Sequence, residues 1–332
     1  MTAALGFGVS GLDPALAAGL EAGMVSVEQR LREVVKSDYA FVTEASRHLV
    51  DAGGKRFRPL LVLLAAHLGD PTDPAVIDAA VAVELTHLAT LYHDDVMDEA
   101  PRRRGTESAN HRWDNTIAIL TGDFLFAKSS GLLADLGAEA VRIQAYTFER
   151  LCTGQIRETV GPQEGEDPIV HHLQVLADKT GSLIATSGRY GAMTSGADAE
   201  SIEVMATFGE RIGVAFQLAD DLLDIASDSE VSGKTAGTDL REGIRTLPVL
   251  MALASTEPAD ARLQELLSNP IADDADHVEA LALLRAHPAM GRARAEAQRW
   301  ANEARASVQV LPESPVRKAF ETLCDAVVSR SV

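Results

Sequence analysis

The chain has 332 residues, a formal net charge of −19, and a composition that is 46% hydrophobic but only 5% aromatic. A charge this negative argues against nucleic acid as a partner. Alanine and leucine are abundant and lead the helix propensities, so we expect an all-α protein. The length is sufficient for a large buried core, in one domain or in two.

Cysteine usage and the absence of targeting signals point to a reduced, cytoplasmic setting. Cys152 and Cys324 provide neither a disulfide framework nor the spacing of a metal site. The N-terminus lacks a charged segment followed by an apolar one, so no signal peptide is expected. The apolar runs are interrupted before about 18 residues, so no membrane-spanning helix is expected.

The first predicted elements are helices between Asp13 and about Ala52, with a break expected near Gly23. The stretch G-G-K-R-F-R-P, Gly53 to Pro59, then places paired glycines and three cations before an apolar helix. Cations before a helix N-terminus form an anion site, because the free N–H groups and the helix dipole also attract anions. The alternative is an ordinary loop with solvated charges.

A long helix is predicted to begin at Asp73 and Pro74, which suit the N-cap and the first helical position. It ends in an acidic cluster, in which Asp94 and Asp98 share one face and Asp95 lies beside them. Clustered carboxylates repel each other, and a hard divalent cation such as Mg²⁺ would compensate that repulsion. One such motif alone also fits a solvated acidic helix end.

Basic residues on both sides of this motif favour the binding of an anionic ligand. His87 lies on the same helical face as Asp94, where contact with a ligand competes with the role of a hydrogen-bonded core histidine. Arg102, Arg103 and Arg104 follow the motif, and guanidinium groups bind phosphate in bidentate geometry. The same arginines also suit local neutralisation of the aspartates, and the two roles are compatible.

The acidic motif occurs a second time, at Asp220, Asp221 and Asp224, again at the end of an apolar helical run. Two such clusters facing one cavity would hold several Mg²⁺ ions around a polyanion. Mg²⁺ takes few protein carboxylates and completes its shell with phosphates and water. The duplication therefore predicts a metal-dependent site that handles phosphates.

The rest of the chain is predicted to be mainly helical support. Helices are expected from Trp113 to Leu136, Glu139 to Thr159, Pro168 to Ser195 and Ala199 to Ala226, with several more after Leu247. The Gly- and Ser-rich segment from Ser227 to Arg245 is expected to cover the site as a flap.

Five motifs together resemble the trans-isoprenyl diphosphate synthase, or polyprenyl synthetase, family. In chain order they are G-G-K-R-F-R-P, L-Y-H-D-D-V-M-D-E-A-P-R-R-R-G, D-K-T-G at Asp178 to Gly181, F-Q-L-A-D-D-L-L-D, and G-K-T-A-G-T-D-L at Gly233 to Leu240. The resemblance implies a single-domain bundle of antiparallel helices around a deep central cavity over residues 1–332. It further implies head-to-tail condensation of isopentenyl diphosphate with an allylic diphosphate, and a product that passes to membrane enzymes.

The resemblance also assigns roles to individual residues. The catalytic aspartates would be direct Mg²⁺ ligands at Asp94, Asp98 and Asp220, supported by Asp95, Asp221 and Asp224. Isopentenyl diphosphate would be held by Lys55, Arg58, His87 and Arg104. The allylic diphosphate would be held by Arg103, Lys179, Thr180, Gln217 and Lys234, with Lys179 also in the catalytic set. A homodimer with about three Mg²⁺ ions per site is implied, with Mn²⁺ as an alternative ion.

Product length is expected to depend on the helix face that runs back from Asp94. Thr90, Thr86 and Val83 lie on that face with Ala89 adjacent, and none of them is aromatic. In the family, bulky aromatic residues four and five positions before the motif stop elongation early. The small residues here predict a deep pocket and a long all-trans product of roughly 30 to 50 carbons. The alternative is a farnesyl or geranylgeranyl product.

Some features depart from the family pattern or fit rival functions. Arg245 stands where the family often has lysine, which leaves its role open, and Glu107-Ser108 replaces a small residue followed by proline. A di-iron bundle needs two Glu-x-x-His motifs, and Glu84 to His87 supplies only one. A non-catalytic subunit of a heteromeric synthase would be expected to lose aspartates. A terpene cyclase would not need G-G-K for a second diphosphate.

Overall fold

The structure is a computed structural model that describes residues 11–226 and 236–329. The helices, in chain order, are α1 (Pro14–Val34), α2 (Ala40–Asp51), α3 (Phe57–Ala66), α4 (Pro74–Met97), α5 (Ala109–Arg112), α6 (Asn115–Asp135), α7 (Ala138–Val160), α8 (Pro168–Leu176), α9 (Ser182–Thr194), α10 (Ala199–Ala226), α11 (Thr238–Glu242), α12 (Leu247–Leu253), α13 (Ala261–Leu267), α14 (Asp274–Ala286), α15 (Pro288–Val308) and α16 (Pro315–Val328). A short antiparallel hairpin, β1 (Arg102–Arg103) and β2 (Thr106–Glu107), follows α4. The all-α prediction is confirmed, and this hairpin is the β structure found in the described residues.

The chain divides into two compact units. The first comprises Met1–Glu149, Leu183–Gly209 and Val310–Phe320, and the second comprises Arg150–Ser182, Glu210–Gln309 and Glu321–Val332. The first aspartate motif belongs to the first unit and the second motif to the second unit. The single-domain organisation stays a prediction.

Helix α4 is the centre of the first unit, where it packs along α6 and against α1 and α3. It begins as predicted, because Asp73 accepts a hydrogen bond from the Ala75 amide at 2.9 Å and Pro74 occupies the first position. Most of its residues are buried. Burial on nearly all sides explains why the helix is apolar around most of its circumference.

The break expected near Gly23 is wrong, because α1 runs without interruption from Pro14 to Val34. A glycine inside a helix costs about 1 kcal/mol relative to alanine. The buried residues of α1 outweigh that cost, since each large apolar side chain contributes about 1.5–3 kcal/mol when fully buried. These residues are Leu16, Leu20, Val27 and Leu31.

The second unit has its own hydrophobic core around α10. Val214, Leu218, Leu222 and Ile225 recur at helical spacing along α10 and are all buried. They belong to one cluster with apolar residues of α12, α13, α14 and α15. The C-terminal helices therefore serve the packing role that their motif-free sequence predicts.

By length and hydropathy alone, two of the described helices, α4 and α6, could cross a membrane, although none is expected from the sequence. In α4, 67% of the most apolar window is buried inside the protein, so its apolar character serves the core. A smaller part of the corresponding window of α6, 39%, is buried. Its Ile119 and Leu120 are 42% and 58% exposed. Helix α6 thus presents an apolar outer surface.

Candidate active site

In the first unit, the G-G-K stretch lies against the triple-arginine stretch. Gly54 has a φ of 133°, and a Cβ atom there would lie 2.7 Å from the guanidinium carbon of Arg104. The Arg104 guanidinium donates hydrogen bonds to the backbone oxygens of Leu49 and Gly53. Glycine permits both this backbone conformation and this close approach. The paired glycines therefore leave room for the Arg104 guanidinium, in addition to following the end of α2.

Glu84 is the counter-ion of a buried arginine cluster. Its Oε1 accepts a hydrogen bond from Arg56 Nη1 at 2.8 Å and lies 3.7 Å from Arg104 Nη2. Arg56 also donates to Glu28 Oε1 at 2.6 Å and to the Val50 carbonyl at 2.8 Å. Glu84 is therefore engaged by arginines, which removes the glutamate that the di-iron alternative requires.

Arg58 and His87 complete this cationic cluster. Arg58 Nε is buried without a hydrogen-bond partner, and burial lowers the pKa of the Arg58 guanidinium to about 10. Burial and then the charges of Arg58 and Arg104 lower the pKa of His87 well below its usual value. A buried donor without a partner, among several cations, is suited to bind an anion such as diphosphate. The structure thus brings Arg58, His87 and Arg104 together, while Lys55 is exposed on the neighbouring loop.

The first aspartate motif lies at the end of α4, as predicted. Asp95 is fully buried, and its Oδ1 accepts a hydrogen bond from Arg103 Nε at 2.6 Å, whereas its Oδ2 is buried without a partner. Burial raises the pKa of Asp95, and Arg103 opposes that shift. Asp94 is partly buried and Asp98 is exposed. Arg103 therefore performs the local neutralisation that was one of its two expected roles.

His93 holds α4 against α6 and is not identified by the sequence pattern. Its Nε2 lies 3.1 Å from the Ile119 carbonyl oxygen and 3.4 Å from Asp123 Oδ1. A Cβ atom at Gly122 would lie 2.4 Å from the same nitrogen, so this glycine makes room for the imidazole. The sequence feature that could have indicated this contact is Gly122, a glycine inside an otherwise regular helix. The contact fixes the backbone one residue before Asp94.

The predicted chain-length residues lie on α4, and one of them is hydrogen-bonded to a residue that lines a cavity. Val83, Thr86 and Ala89 are fully buried, and Thr90 is partly buried. Both threonine hydroxyls donate to carbonyl oxygens of their own helix. A cavity of about 370 Å³ lies between α4, α6 and α7, and one of its lining residues, Gln144, is hydrogen-bonded to Thr86.

In the second unit, the second aspartate motif lies at the end of α10. Asp221 is buried, and burial together with Asp239, Asp220 and Asp224 raises its pKa to about 8, although a hydrogen bond from Gln217 opposes the shift. Burial and Asp224 raise the pKa of Asp239 to about 7. Carboxylates crowded enough to raise each other's pKa values are stabilised by a hard divalent cation.

The residues present fit Mg²⁺ that is shared with a phosphorylated ligand. Within residues 11–226 and 236–329, no group of three or more His, Cys, Asp or Glu side chains is arranged to hold a metal by itself. Mg²⁺ needs only one or two protein carboxylates when substrate phosphates complete its shell. The unpartnered Oδ2 of Asp95 and the crowded carboxylates around Asp221 meet that requirement.

The D-K-T-G motif forms a π-helical turn, Ala177–Gly181, between α8 and α9. Thr180 Oγ1 donates to Gln217 Oε1 at 3.2 Å, and Gln217 Nε2 donates to Asp221 Oδ1 at 2.9 Å. One hydrogen-bonded chain therefore links three of the predicted residues. Single π turns inside helices are frequent at functional sites, because they redirect side chains without ending the helix.

Helix α7 supports this π turn from one side. Arg150 Nε donates to Asp178 Oδ1 at 2.8 Å. A Cβ atom at Gly154 would lie 2.8 Å from the Lys179 amide nitrogen, so α7 and the turn are in close contact at this glycine. Lys179 Nζ pairs with Glu158, a residue that the sequence pattern does not identify. The sequence feature that could have indicated Glu158 is its position one helical turn after Gly154, on the same face of α7.

The remaining predicted residues follow α10. Lys234 and the flap positions 227–235 lie outside the described residues. Beyond them the flap segment contains α11, and Asp224 Oδ2 accepts a hydrogen bond from the Asp239 amide at 3.2 Å. Arg245 is exposed.

Comparison with known proteins agrees with these motifs. The family model described as Polyprenyl synthetase matches residues 39–284. The chain belongs to the polyprenyl synthetase family. The family prediction is therefore confirmed, and with it the all-α isoprenoid synthase fold and prenyltransferase activity.

Three proteins, one found by sequence and two by structure, are similar over almost the whole chain. Nonaprenyl diphosphate synthase of Mycobacterium tuberculosis is 50% identical over 319 residues, which cover 96% of this chain and 95% of that protein. The crystal structure of geranylgeranyl pyrophosphate synthase from Corynebacterium glutamicum, complexed with calcium and isoprenyl diphosphate, has a TM-score of 0.87 and 46% identity, covering 96% of this chain and 98% of that one. A decaprenyl diphosphate synthase from Rhodobacter capsulatus has a TM-score of 0.86 and 34% identity, covering 96% and 99%.

Proposed function

We propose that this polyprenyl synthetase condenses isopentenyl diphosphate head-to-tail with an allylic diphosphate into a long all-trans product of roughly 30 to 50 carbons. The observation that carries the length is the small, non-aromatic character of Val83, Thr86, Ala89 and Thr90, on the face of α4 that runs back from Asp94. Relatives named nonaprenyl and decaprenyl diphosphate synthase support a long product. Because a geranylgeranyl pyrophosphate synthase is also similar to this chain, a short product is the second candidate.

Mg²⁺, when bound, neutralises the diphosphate leaving group so that the allylic C–O bond can break. In this proposal about three ions are held at each active site. Their direct ligands are Asp94, Asp98 and Asp220, and their supporting residues are Asp95, Asp221 and Asp224. The buried, unpartnered Oδ2 of Asp95 supports this assignment.

The two diphosphates are held by separate sets of residues. Lys55, Arg58, His87 and Arg104 hold isopentenyl diphosphate, and the buried, unpartnered Arg58 Nε supports this assignment. The allylic diphosphate is held by Arg103, Lys179, Thr180, Gln217 and Lys234. The hydrogen-bonded chain from Thr180 to Asp221 supports a common role for the residues of the second unit.

The condensation forms one C–C bond and releases diphosphate. Departure of the diphosphate leaves an allylic cation, which the double bond of isopentenyl diphosphate attacks. The proton lost from the new chain passes to the released diphosphate, since no spare carboxylate is evident among the predicted residues. Apolar walls such as those of α4 and α6 exclude the water that would otherwise hydrolyse the cation.

We also propose a cytoplasmic homodimer in which each chain is a single domain, and whose product passes to membrane enzymes. Ile119 and Leu120 on the outer surface of α6 support dimer formation, because they are large, apolar and exposed. A second copy of the chain can cover such a surface symmetrically.

The function is tested with radiolabelled isopentenyl diphosphate, Mg²⁺ and allylic primers of increasing length, followed by chromatographic sizing of the products. Products of hexaprenyl length or longer are expected. Only farnesyl or geranylgeranyl products would establish the short-chain candidate. No incorporation with any primer would indicate the non-catalytic subunit, and products formed without isopentenyl diphosphate would indicate a terpene cyclase.

A further inference from the structure

We propose that His172 on α8 is a positioning residue for Asp221 of the second aspartate motif, an inference that rests on the proposed function. Both residues belong to the second unit. His172 Nε2 lies 3.9 Å from Asp221 Oδ2. His172 lies outside the five sequence motifs and has no role in the proposed function.

The Nε2 atom of His172 is buried and has no hydrogen-bond partner within residues 11–226 and 236–329. The side chain as a whole is 14% exposed. A buried polar atom without a partner is unfavourable, and such atoms are rare unless a ligand or a small movement satisfies them. The distance to Asp221 Oδ2 exceeds an ordinary N–H···O hydrogen bond by only about 1 Å. Asp221 is therefore the partner that a small movement would supply.

The neighbouring His171 shows that α8 can satisfy the nitrogens of a buried imidazole. Its Nδ1 lies 3.1 Å from Glu166 Oε2, and its Nε2 lies 3.1 Å from the Arg157 carbonyl oxygen. His172 faces the second aspartate motif instead. Unlike lysine or arginine, a neutral imidazole donates an N–H without adding a positive charge that would compete with a metal ion for the carboxylate. Histidine is thus suited to orient a carboxylate beside a metal site.

Asp221 already has a hydrogen-bond donor on its other oxygen. Gln217 Nε2 donates to Asp221 Oδ1 at 2.9 Å, and Thr180 Oγ1 donates to Gln217 Oε1 at 3.2 Å. The terminal torsion of an aspartate is broad, so a modest rotation of the carboxylate can bring Oδ2 to His172. With one donor on each oxygen, the plane of the carboxylate is fixed. The chain of hydrogen bonds then runs from Thr180 through Gln217 and Asp221 to His172.

A fixed Asp221 carboxylate strengthens the hold of the second motif on Mg²⁺. Asp221 is the supporting residue that immediately follows Asp220, the proposed direct ligand. Hydrogen-bond partners of the residues around a metal typically change its affinity by about 10- to 100-fold. Loss of the His172 donor should therefore weaken Mg²⁺ binding, and the bond-making steps should be unchanged once the metal is bound.

The test measures Mg²⁺ binding by isothermal titration calorimetry, with the full chain saturated with inorganic pyrophosphate. We expect His172→Leu to weaken Mg²⁺ binding by roughly 10- to 100-fold. His172→Gln should stay within about threefold of the wild type, because its amide nitrogen reaches the position of the imidazole Nε2. His172→Asn is one bond shorter and should resemble His172→Leu. The comparison of the two amides remains informative even if His172→Leu does not fold.

A double-mutant cycle separates this role from simple packing of α8. In an Asp221→Asn background, His172→Leu should cause little further loss of Mg²⁺ affinity, because the carboxylate that it orients is already gone. His67→Leu is the matched control, because His67 is a partly buried histidine of the first unit that faces Gly19. It should retain the wild-type affinity.

Two results would overturn the role of His172 alone. One is a His172→Leu variant that binds Mg²⁺ as tightly as the wild type, and the other is a His172→Gln variant as weak as His172→Asn. Wild-type protein that binds Mg²⁺ no better with pyrophosphate than without it would instead overturn the proposed function, and with it this inference.

Discussion

His87 lies partly buried near several arginines, and this environment decides its charge. Burial and then Arg58 and Arg104 lower its pKa well below the ordinary value of 6.5. The unfolded chain therefore takes up a proton near pH 6.5, whereas the folded chain keeps this histidine neutral. Because the unfolded state then binds more protons, stability falls as the pH falls below that value and is unaffected above it.

His87→Gln should remove this part of the pH dependence. In the wild type, His87 should contribute a loss of about 1.4 kcal/mol of unfolding free energy per pH unit below its unfolded pKa. Urea unfolding at pH 7.5 and pH 5.5 measures the difference. His111→Gln is the control, because the His111 side chain is 58% exposed. Equal pH dependence in the wild type and His87→Gln would contradict the burial of a neutral imidazole.

Asp94→Ala tests the metal role of the first aspartate motif. Turnover should fall on the order of 10³-fold, because a preorganised group that stabilises the leaving diphosphate is lost. Circular dichroism should show unchanged helical content. Asp78→Ala is a control on the same helix, where Asp78 pairs with Arg30 near the surface, and it should retain wild-type turnover. A near-normal rate in Asp94→Ala would count against the assignment.

Among single residues, the sequence identifies those that act locally and misses those paired over long distances. Gly54, Arg104 and Asp95 are recognisable because their motifs are contiguous. The pairing of Glu84 with Arg56 is not recognisable, because each resembles an ordinary solvated charge until the fold buries them together. The same limit applies to every contact between distant helices. Helical periodicity shows which face of a helix is buried but does not show which helix packs against it.

At the scale of elements, the π turn at Ala177–Gly181 depends on close contact with α7. Gly154→Ala should displace the turn, because the new Cβ atom would lie 2.8 Å from the Lys179 amide nitrogen. We expect kcat/KM for the allylic substrate to fall by roughly 10- to 100-fold, since displacement of a binding group by about 1 Å has effects of this size. Steady-state kinetics with a varied allylic primer measures the change.

The control for this substitution is Gly291→Ala on α15, where a new Cβ atom would meet nothing within 4 Å. That variant should keep its activity and gain up to about 1 kcal/mol of stability from the better helix propensity of alanine. If Gly154→Ala binds the allylic substrate as tightly as the wild type, the turn does not depend on this contact.

The long helices were predictable, whereas the irregular elements were not. The Asp73 N-cap marks the start of α4, and apolar periodicity indicates both α4 and α10, so both helices lie where the sequence predicts them. At the π turn the sequence predicts only a continuous helix from Pro168 to Ser195, because one inserted residue leaves the periodicity almost unchanged. The hairpin Arg102–Glu107 is too short for strand alternation to indicate it.

At the scale of the whole molecule, the exposed apolar surface of α6 should govern association. Leu120→Glu should convert the proposed dimer to a monomer, because a buried, unpaired carboxylate in an interface is strongly unfavourable. Light scattering coupled to size-exclusion chromatography measures the mass. Val25→Glu is the control, because Val25 is 69% exposed on α1. A dimer that survives Leu120→Glu must use another surface.

The buried Arg58 Nε, which has no hydrogen-bond partner, has a practical consequence for handling the enzyme. The folded chain keeps a buried, unpartnered Arg58 Nε in one unit and crowded carboxylates in the other, and the proposed ligands would relieve both. Ligands that bind only the native state raise its stability, by about 2.7 kcal/mol at a hundredfold excess over Kd. Preparations stripped with chelators should therefore be the least durable, and storage with magnesium pyrophosphate should prolong shelf life.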